Sequence, residues 1–242
     1  MSDAEKLEEF LKTNSYFSTG DFIAYVSETS GDSSDRNAFR LLVELQKTGK
    51  IMKIRRGYYA AETVKAAYQY HQSERMTGIA AMIQQNFPRT DFQVWELKQW
   101  NEFISCQFTE NIYFVETDSE NTETVFEYFK ETIPHVLFNP DYELYKRYRS
   151  DEMVVIQKLI SGSPAADRST NQAPIEKMLV DLFSKKLVGH LIGREEYSHI
   201  FEAVFDRYAI NESTMLRYAG RRHLEGKIRR FISEETDIQL HM

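Results

Sequence analysis

Three short segments at the start of the chain carry apolar residues at helical spacing, which predicts three amphipathic helices. The apolar positions are Ala4, Leu7, Phe10 and Leu11 in the first segment, Phe22, Ile23 and Val26 in the second, and Ala38, Leu41, Leu42 and Leu45 in the third. Ser18, with Asp21 three positions later, resembles a capping box at the start of the second helix. Ser33, Ser34 or Asp35 can cap the third helix.

The period of the pattern changes after Gly49, which is expected to end the third helix. KIMKI and GYYA are short β-prone runs, and Gly57 between them can take the positive φ that a tight hairpin turn requires. Three helices followed by a hairpin is the element order of a winged helix-turn-helix. We therefore predict such a domain over residues 1–62.

Segments typical of strands and helices alternate in the rest of the chain. DFQVWEL, NIYFVET, HVLFN and MVVIQKLI read as strands, and residues 122–132 read as a helix. We predict a helical connecting segment over residues 63–88 and an α/β domain over residues 89–242. The predicted fold class is α+β, with an N-terminal winged helix-turn-helix domain and a larger α/β domain that ends in a helical segment.

Positive charge is concentrated in the third helix and the hairpin, although the formal net charge of the chain is −7. Seven Lys/Arg and one carboxylate lie between Arg36 and Arg56, whereas residues 1–60 hold nine basic and nine acidic residues. One interpretation is a solvated helix face. The other interpretation is a surface that binds double-stranded DNA, in which Arg and Asn side chains read base edges and cations of the hairpin bind phosphates. The predicted DNA-binding residues are Ser34, Arg36, Asn37, Arg40, Lys53, Arg55 and Arg56.

A second set of basic residues falls in the last predicted helix, over residues 211–232. Its members are Arg217, Arg221, Arg222 and Arg229. These arginines either pair with acidic neighbours such as Glu195, Glu196 or Asp206, or form a second contact for DNA or for an acidic protein face.

Candidate catalytic chemistry is confined to one short pattern, Asp91, Glu96 and Lys98. Carboxylates followed by a lysine two residues later occur in metal-dependent nucleases, so a nuclease or nucleotide-processing enzyme with a DNA-binding module stays as an alternative. The histidines are dispersed, and glycine-rich phosphate-binding motifs are missing from the sequence. Cys106 is the only cysteine, which excludes an internal disulfide. We predict a non-enzymatic protein without a metal or a cofactor.

The sequence also bears on where the protein works. Its start, MSDAEKLEEFLK, lacks the basic and apolar regions of a signal peptide. No apolar run approaches the roughly 18 residues that a membrane helix needs. We expect a cytoplasmic protein that does not bind membranes.

The stretch LVELQKTGKIMKIRRGYYA resembles the N-terminal winged helix of AbiEi-type antitoxins, from type IV toxin–antitoxin systems of abortive infection. Relatives carry an Arg-Gly-x-Tyr wing, which Arg56, Gly57 and Tyr59 match. NIYFVE, HVLFNP, APIEKMLVDLF and YAINESTMLRYAGRR resemble that family's larger domain. The resemblance implies a phage-defence repressor that binds inverted repeats in its own promoter and counteracts a nucleotidyltransferase-like toxin. A protein-interaction scaffold is the remaining alternative.

Overall fold

The computed structural model describes residues 3–30, 35–61 and 65–240, which form an α+β fold with two small sheets. This confirms the α+β part of the predicted fold class. The helices are α1 (Asp3–Thr13), α2 (Thr19–Ser30), α3 (Asp35–Lys47), α4 (Glu74–Asn86), α5 (Thr122–Thr132), α6 (Tyr142–Tyr148), α7 (Ile175–Leu182), α8 (Val188–Leu191), α9 (Tyr197–Arg207), α10 (Glu212–Arg221) and α11 (Glu225–Glu235). The strands are β1 (Tyr16–Ser18), β2 (Ile51–Arg55), β3 (Tyr58–Ala61), β4 (Phe92–Glu96), β5 (Ile112–Thr117), β6 (Val136–Phe138) and β7 (Met153–Lys158). Short 3₁₀ helices span Leu97–Glu102 and Arg194–Glu196.

Among the described residues, the buried side chains of the first hydrophobic core come from residues 10–61, and Leu7 packs against them. The antiparallel strands lie in the order β1-β3-β2, and the predicted hairpin between β2 and β3 is confirmed, with Gly57 at φ +74° in its turn. The rings of Phe10, Phe17 and Phe22 pack against one another in this core, with ring centroids 5.1–5.7 Å apart. Gly49, at φ +74°, follows α3 as expected. The strand β1 was not predicted.

The predicted capping box at the start of α2 is confirmed. The Ser18 N–H donates to Asp21 Oδ2 at 2.8 Å, and the Asp21 N–H donates to Ser18 Oγ at 3.1 Å. The bond from the Ser18 backbone, followed by that with its side chain, lowers the pKa of Asp21 below its usual value. The ionised carboxylate therefore stabilises the beginning of the helix.

Ser18→Ala is expected to lower the free energy of unfolding by about 1 kcal/mol, because the Asp21 N–H loses its side-chain acceptor. Because folding lowers the pKa of Asp21, its ionised carboxylate contributes to the free energy of unfolding. This contribution is fully present above the usual pKa of 3.8 and is lost as the pH falls through the lower folded value. Thermal unfolding followed by circular dichroism, at neutral pH and under acid conditions, measures both effects.

Ser233→Ala is the matched control, since the Ser233 hydroxyl donates only to the nearby Arg230 carbonyl. This exposed substitution should change the melting temperature little. Equal losses in the two variants would contradict the capping role of Ser18.

The second core spans residues 76–232 and surrounds a mixed sheet in the order β4-β5-β7-β6. β4 is antiparallel to β5, whereas β5, β7 and β6 are parallel and connected by α5 and α6. Every residue of β5 is buried, as expected for a strand covered on both faces. All four predicted strands and the predicted helix at residues 122–132 are confirmed. Trp95 and Trp100 are both buried in this core.

The predicted helix in the connecting segment is wrong over residues 65–73, because these residues have no helix. Ala66 pairs with Tyr208 in an isolated β-bridge, and Tyr68 packs against Phe103 and Tyr208. Helix α4 begins only after Ser73, whose hydroxyl accepts the Met76 N–H at 3.2 Å. Tertiary pairing therefore overrides the helical pattern, and α4 belongs to the larger core.

The single helix predicted over residues 211–232 is divided into α10 and α11. His223 adopts a left-handed conformation with φ +55°, and the Leu224 N–H donates to the Ala219 carbonyl at 2.8 Å. This arrangement closes the end of α10. Among the described residues, no helix is both long and apolar enough to cross a membrane.

Candidate nucleic-acid interface

Helix α3 presents basic side chains on the face opposite its buried side. Arg36, Arg40 and Lys47 are exposed and lie at i, i+4 and i+11, which places them on one side of the helix. The opposite, buried side consists of Ala38, Leu42 and Leu45. The apolar side fixes the helix to the first core and directs the three cations outward.

Two of the predicted base-reading residues contact each other. Arg40 Nη2 donates to Asn37 Oδ1 at 3.1 Å, and Arg40 Nη1 lies 3.5 Å from Glu44 Oε2. The Arg40 and Glu44 side chains are mostly exposed, so this ion pair contributes little and is readily exchanged for another partner. Arg36 lies one turn before Arg40 on the same side.

The hairpin contributes Lys53 and Arg56, which are both exposed. Lys53 lies directly opposite Tyr59, a residue of the first core, so its side chain leaves the sheet on the face that carries the helices. Arg55 differs from the prediction because it is half-buried, and its guanidinium carbon lies 4.7 Å from the Tyr58 ring centroid. Arg55 therefore packs within the hairpin instead of presenting a free cation.

Ser34, the remaining predicted DNA-binding residue, lies outside the described residues, as does Ser33. Their predicted capping of α3 has no structural description. The described part of α3 begins at Asp35.

Two apolar residues on α3 were not predicted as part of this surface. Phe39 and Val43 are each 50% exposed. Both fall outside the i, i+3, i+4, i+7 core set of the third helix, and this was the available signal that they face solvent.

The larger domain approaches this unit from the other face of its sheet. Tyr16, Ile54 and Ala60 line a cleft of about 410 Å³ together with residues of α9 and α10. α10 also contacts β2, whereas α3 packs against α2 and β2. In the part of the chain that the structure describes, Arg36, Arg40 and Lys47 on the basic side of α3 stay exposed.

The second predicted basic surface is only partly exposed. Arg217 and Arg221 face solvent, and Arg229 pairs with Glu225 at 2.9 Å. The prediction is wrong for Arg222, whose side chain is 11% exposed and pairs with Asp181 in the interior. The acidic partners are thus Glu225 and Asp181, rather than the predicted Glu195, Glu196 or Asp206.

A buried ion network in the larger domain was also missed from the sequence. Lys177 Nζ lies 2.8 Å from Glu116 Oε1 and 2.6 Å from Asp181 Oδ2, and these three side chains are 0–6% exposed. The Tyr218 hydroxyl donates to Asp181 Oδ1 at 3.0 Å. The only local signal was the i, i+4 spacing of Lys177 and Asp181. The network joins β5, α7 and α10.

Burial and neighbouring charges shift the pKa values of Lys177 and Asp181 in opposite directions. Burial disfavours the charged amine, but the Asp181 and Glu116 carboxylates outweigh it and raise the pKa of Lys177 above its usual value. Burial likewise disfavours the Asp181 carboxylate, yet Lys177 and Arg222 lower its pKa. Lys177 and Asp181 therefore stay charged and paired, and we assign the network a structural role.

The three residues of the nuclease pattern are not brought together. Asp91 precedes β4 and Glu96 ends it, which separates them by roughly 16 Å along an extended strand. The buried Glu96 carboxylate accepts hydrogen bonds from the Ser73 hydroxyl at 2.9 Å and the Asn111 amide at 2.6 Å. Within residues 3–30, 35–61 and 65–240, no group of three or more His, Cys, Asp and Glu could hold a metal ion.

Comparison with models of known protein families identifies one family. No curated protein matches the sequence. The model of DUF6577, a family of unknown function, matches residues 39–238. This range begins inside α3 and includes the hairpin and nearly all of the larger domain. The chain therefore belongs to the DUF6577 family.

Proposed function

We propose that this protein is a DNA-binding transcriptional repressor of the antitoxin type, and that residues up to 62 form a winged helix-turn-helix domain. The observation that carries the proposal is the outward stripe of Arg36, Arg40 and Lys47 on α3, beside an exposed Lys53. The order helix, strand, helix, helix and hairpin is that of winged helices, in which the third helix enters the major groove.

In this proposal the two parts of the basic surface have different roles. Arg36, Asn37 and Arg40 read base edges from α3, because Arg and Asn match guanine and adenine through paired hydrogen bonds. Lys53 and Arg56 bind phosphates and set the register. The net charge of −7 repels DNA from the rest of the chain, so the basic surface orients the encounter.

We add the antitoxin role to the repressor role because the sequence resembles AbiEi-type proteins. Two copies would bind an inverted repeat in the promoter of their own gene, with half-sites about one helical turn apart. The larger domain would counteract a nucleotidyltransferase-like toxin in the cytoplasm without being an enzyme itself. Leu144 and Tyr148, exposed on α6, support a protein contact there, which a scaffold without DNA binding would also use.

The salt dependence of DNA binding tests the proposal. The probe is a fluorescent duplex that covers the region upstream of the gene, titrated with the full chain by anisotropy. If about five phosphates are neutralised, log K against log salt concentration has a slope of roughly −4 to −5. Removing two cations in the variant Lys53→Ala/Arg56→Ala is expected to reduce that slope by about 2.

Lys130→Ala is the control for this series, since Lys130 is an exposed lysine of α5 that pairs with Glu127 at 3.4 Å. It should leave the slope unchanged. Absence of duplex binding at low salt would overturn the proposal in favour of a scaffold. Magnesium-dependent cleavage of the duplex that Glu96→Gln abolishes would instead overturn the non-enzymatic assignment.

A further inference from the structure

Two exposed apolar side chains interrupt the basic face of α3. Val43 lies seven residues after Arg36 and four before Lys47, so it belongs to the same stripe as these cations. Phe39 lies one turn before Val43, and each side chain is 50% exposed. Phe39 and Val43 therefore form a small exposed apolar patch within the charged face of α3.

The charges around this pair distinguish between its two most direct occupants. A second copy of the chain in a two-fold contact would place the same patch on both sides, and would bring the cations Arg36, Arg40 and Lys47 against the same set of cations on the other copy. Like charges facing each other oppose such a contact. The major groove of DNA instead offers negative phosphates along both edges and apolar groups on its floor.

The apolar group in the major groove is the 5-methyl of thymine, which side chains recognise by direct contact. We propose that Phe39 and Val43 contact thymine methyl groups, and so select T·A base pairs at the positions beneath the middle of α3. This inference rests on the proposed DNA binding and extends it by naming the chemical group that specifies the site. Arg36 and Arg40 would read neighbouring bases on the same floor.

The experiment removes the methyl groups alone. The segment upstream of the gene is amplified with either thymidine or deoxyuridine triphosphate, and the full chain is titrated with both duplexes at one salt concentration. Burial of one methyl group corresponds to about a fourfold change in affinity. We expect wild type to bind the uracil duplex about fourfold more weakly for each methyl group that it contacts.

Val43→Ala identifies the side chain responsible. It should weaken binding to the thymine duplex and reduce the difference between the two duplexes, because the contact is already lost. Because Val43 is half-exposed, the substitution leaves the first core intact. Leu144→Ala is the matched control, since Leu144 is an exposed apolar residue on α6 in the larger domain. It should retain the full wild-type difference.

Each other result has a distinct meaning. Equal binding of wild type to both duplexes would overturn the thymine contact and leave DNA binding standing. No binding to either duplex would overturn the proposed function and this inference with it. A change in molar mass on Val43→Ala, measured by light scattering without DNA, would overturn the inference in favour of self-association.

Discussion

Lys177→Met is expected to lower the free energy of unfolding by about 3–5 kcal/mol. The substitution retains the aliphatic stem but leaves the buried carboxylates of Glu116 and Asp181 without the cation that they share. Urea unfolding followed by tryptophan fluorescence measures the loss directly, because Trp95 and Trp100 are both in the core of the larger domain.

Two further variants separate the lost ion pair from the lost lysine. Lys146→Met removes an exposed lysine whose amine lies 3.0 Å from Glu143, and should cost less than about 0.5 kcal/mol. Glu116→Gln, added to Lys177→Met, should recover part of the loss, since it removes the carboxylate that loses its ion-pair partner, whereas Asp181 keeps its pair with Arg222. A loss for Lys177→Met as small as for the surface control would contradict the structural role of the network.

Arg40→Ala is expected to weaken binding to the specific operator by about 1–3 kcal/mol, the contribution of a side chain that reads a base. Folding stability should change little, because Arg40 is exposed and its partners Asn37 and Glu44 lie on the same helix. Anisotropy titrations with the upstream duplex and with a scrambled duplex of the same composition measure the specific part of the loss.

Lys53→Ala provides the contrasting result in the same assay. It should weaken binding to both duplexes alike, because phosphate contacts carry no direct sequence information. Arg217→Ala is the control from the larger domain and should match wild type. If Arg217→Ala lost more affinity than Arg40→Ala, the interface would lie on α10 instead of α3.

Local sequence patterns were enough to predict the helices and turns that depend on contacts between residues close in the sequence. The apolar spacing in α3 and the glycines at residues 49 and 57 predict the helix, its end and the hairpin turn, since each depends on neighbours within a few residues. The strands of the second sheet were recognised by their β-branched and aromatic runs. The prediction of a helix over residues 65–73 is wrong because the bridge between Ala66 and Tyr208 joins positions far apart in the sequence.

The same distinction applies to the candidate site. The outward face of α3 follows from helical periodicity, so Arg36 and Arg40 could be placed from the sequence. The orientation of an arginine toward solvent or core depends on partners from other elements. Arg222 pairs with Asp181 of α7, and Arg55 packs on Tyr58 across the hairpin, and neither contact has a signature in spacing.

The order of the second sheet has a consequence for biosynthesis. β7 comes last of its strands in the sequence but lies between β5 and β6, whereas the sheet of the first core is complete at Ala61. A nascent chain can therefore close its first core while β7, one of the two inner strands of the second sheet, is still inside the ribosome. A product terminated before Met153 would carry the whole of α3 on an unfinished larger domain.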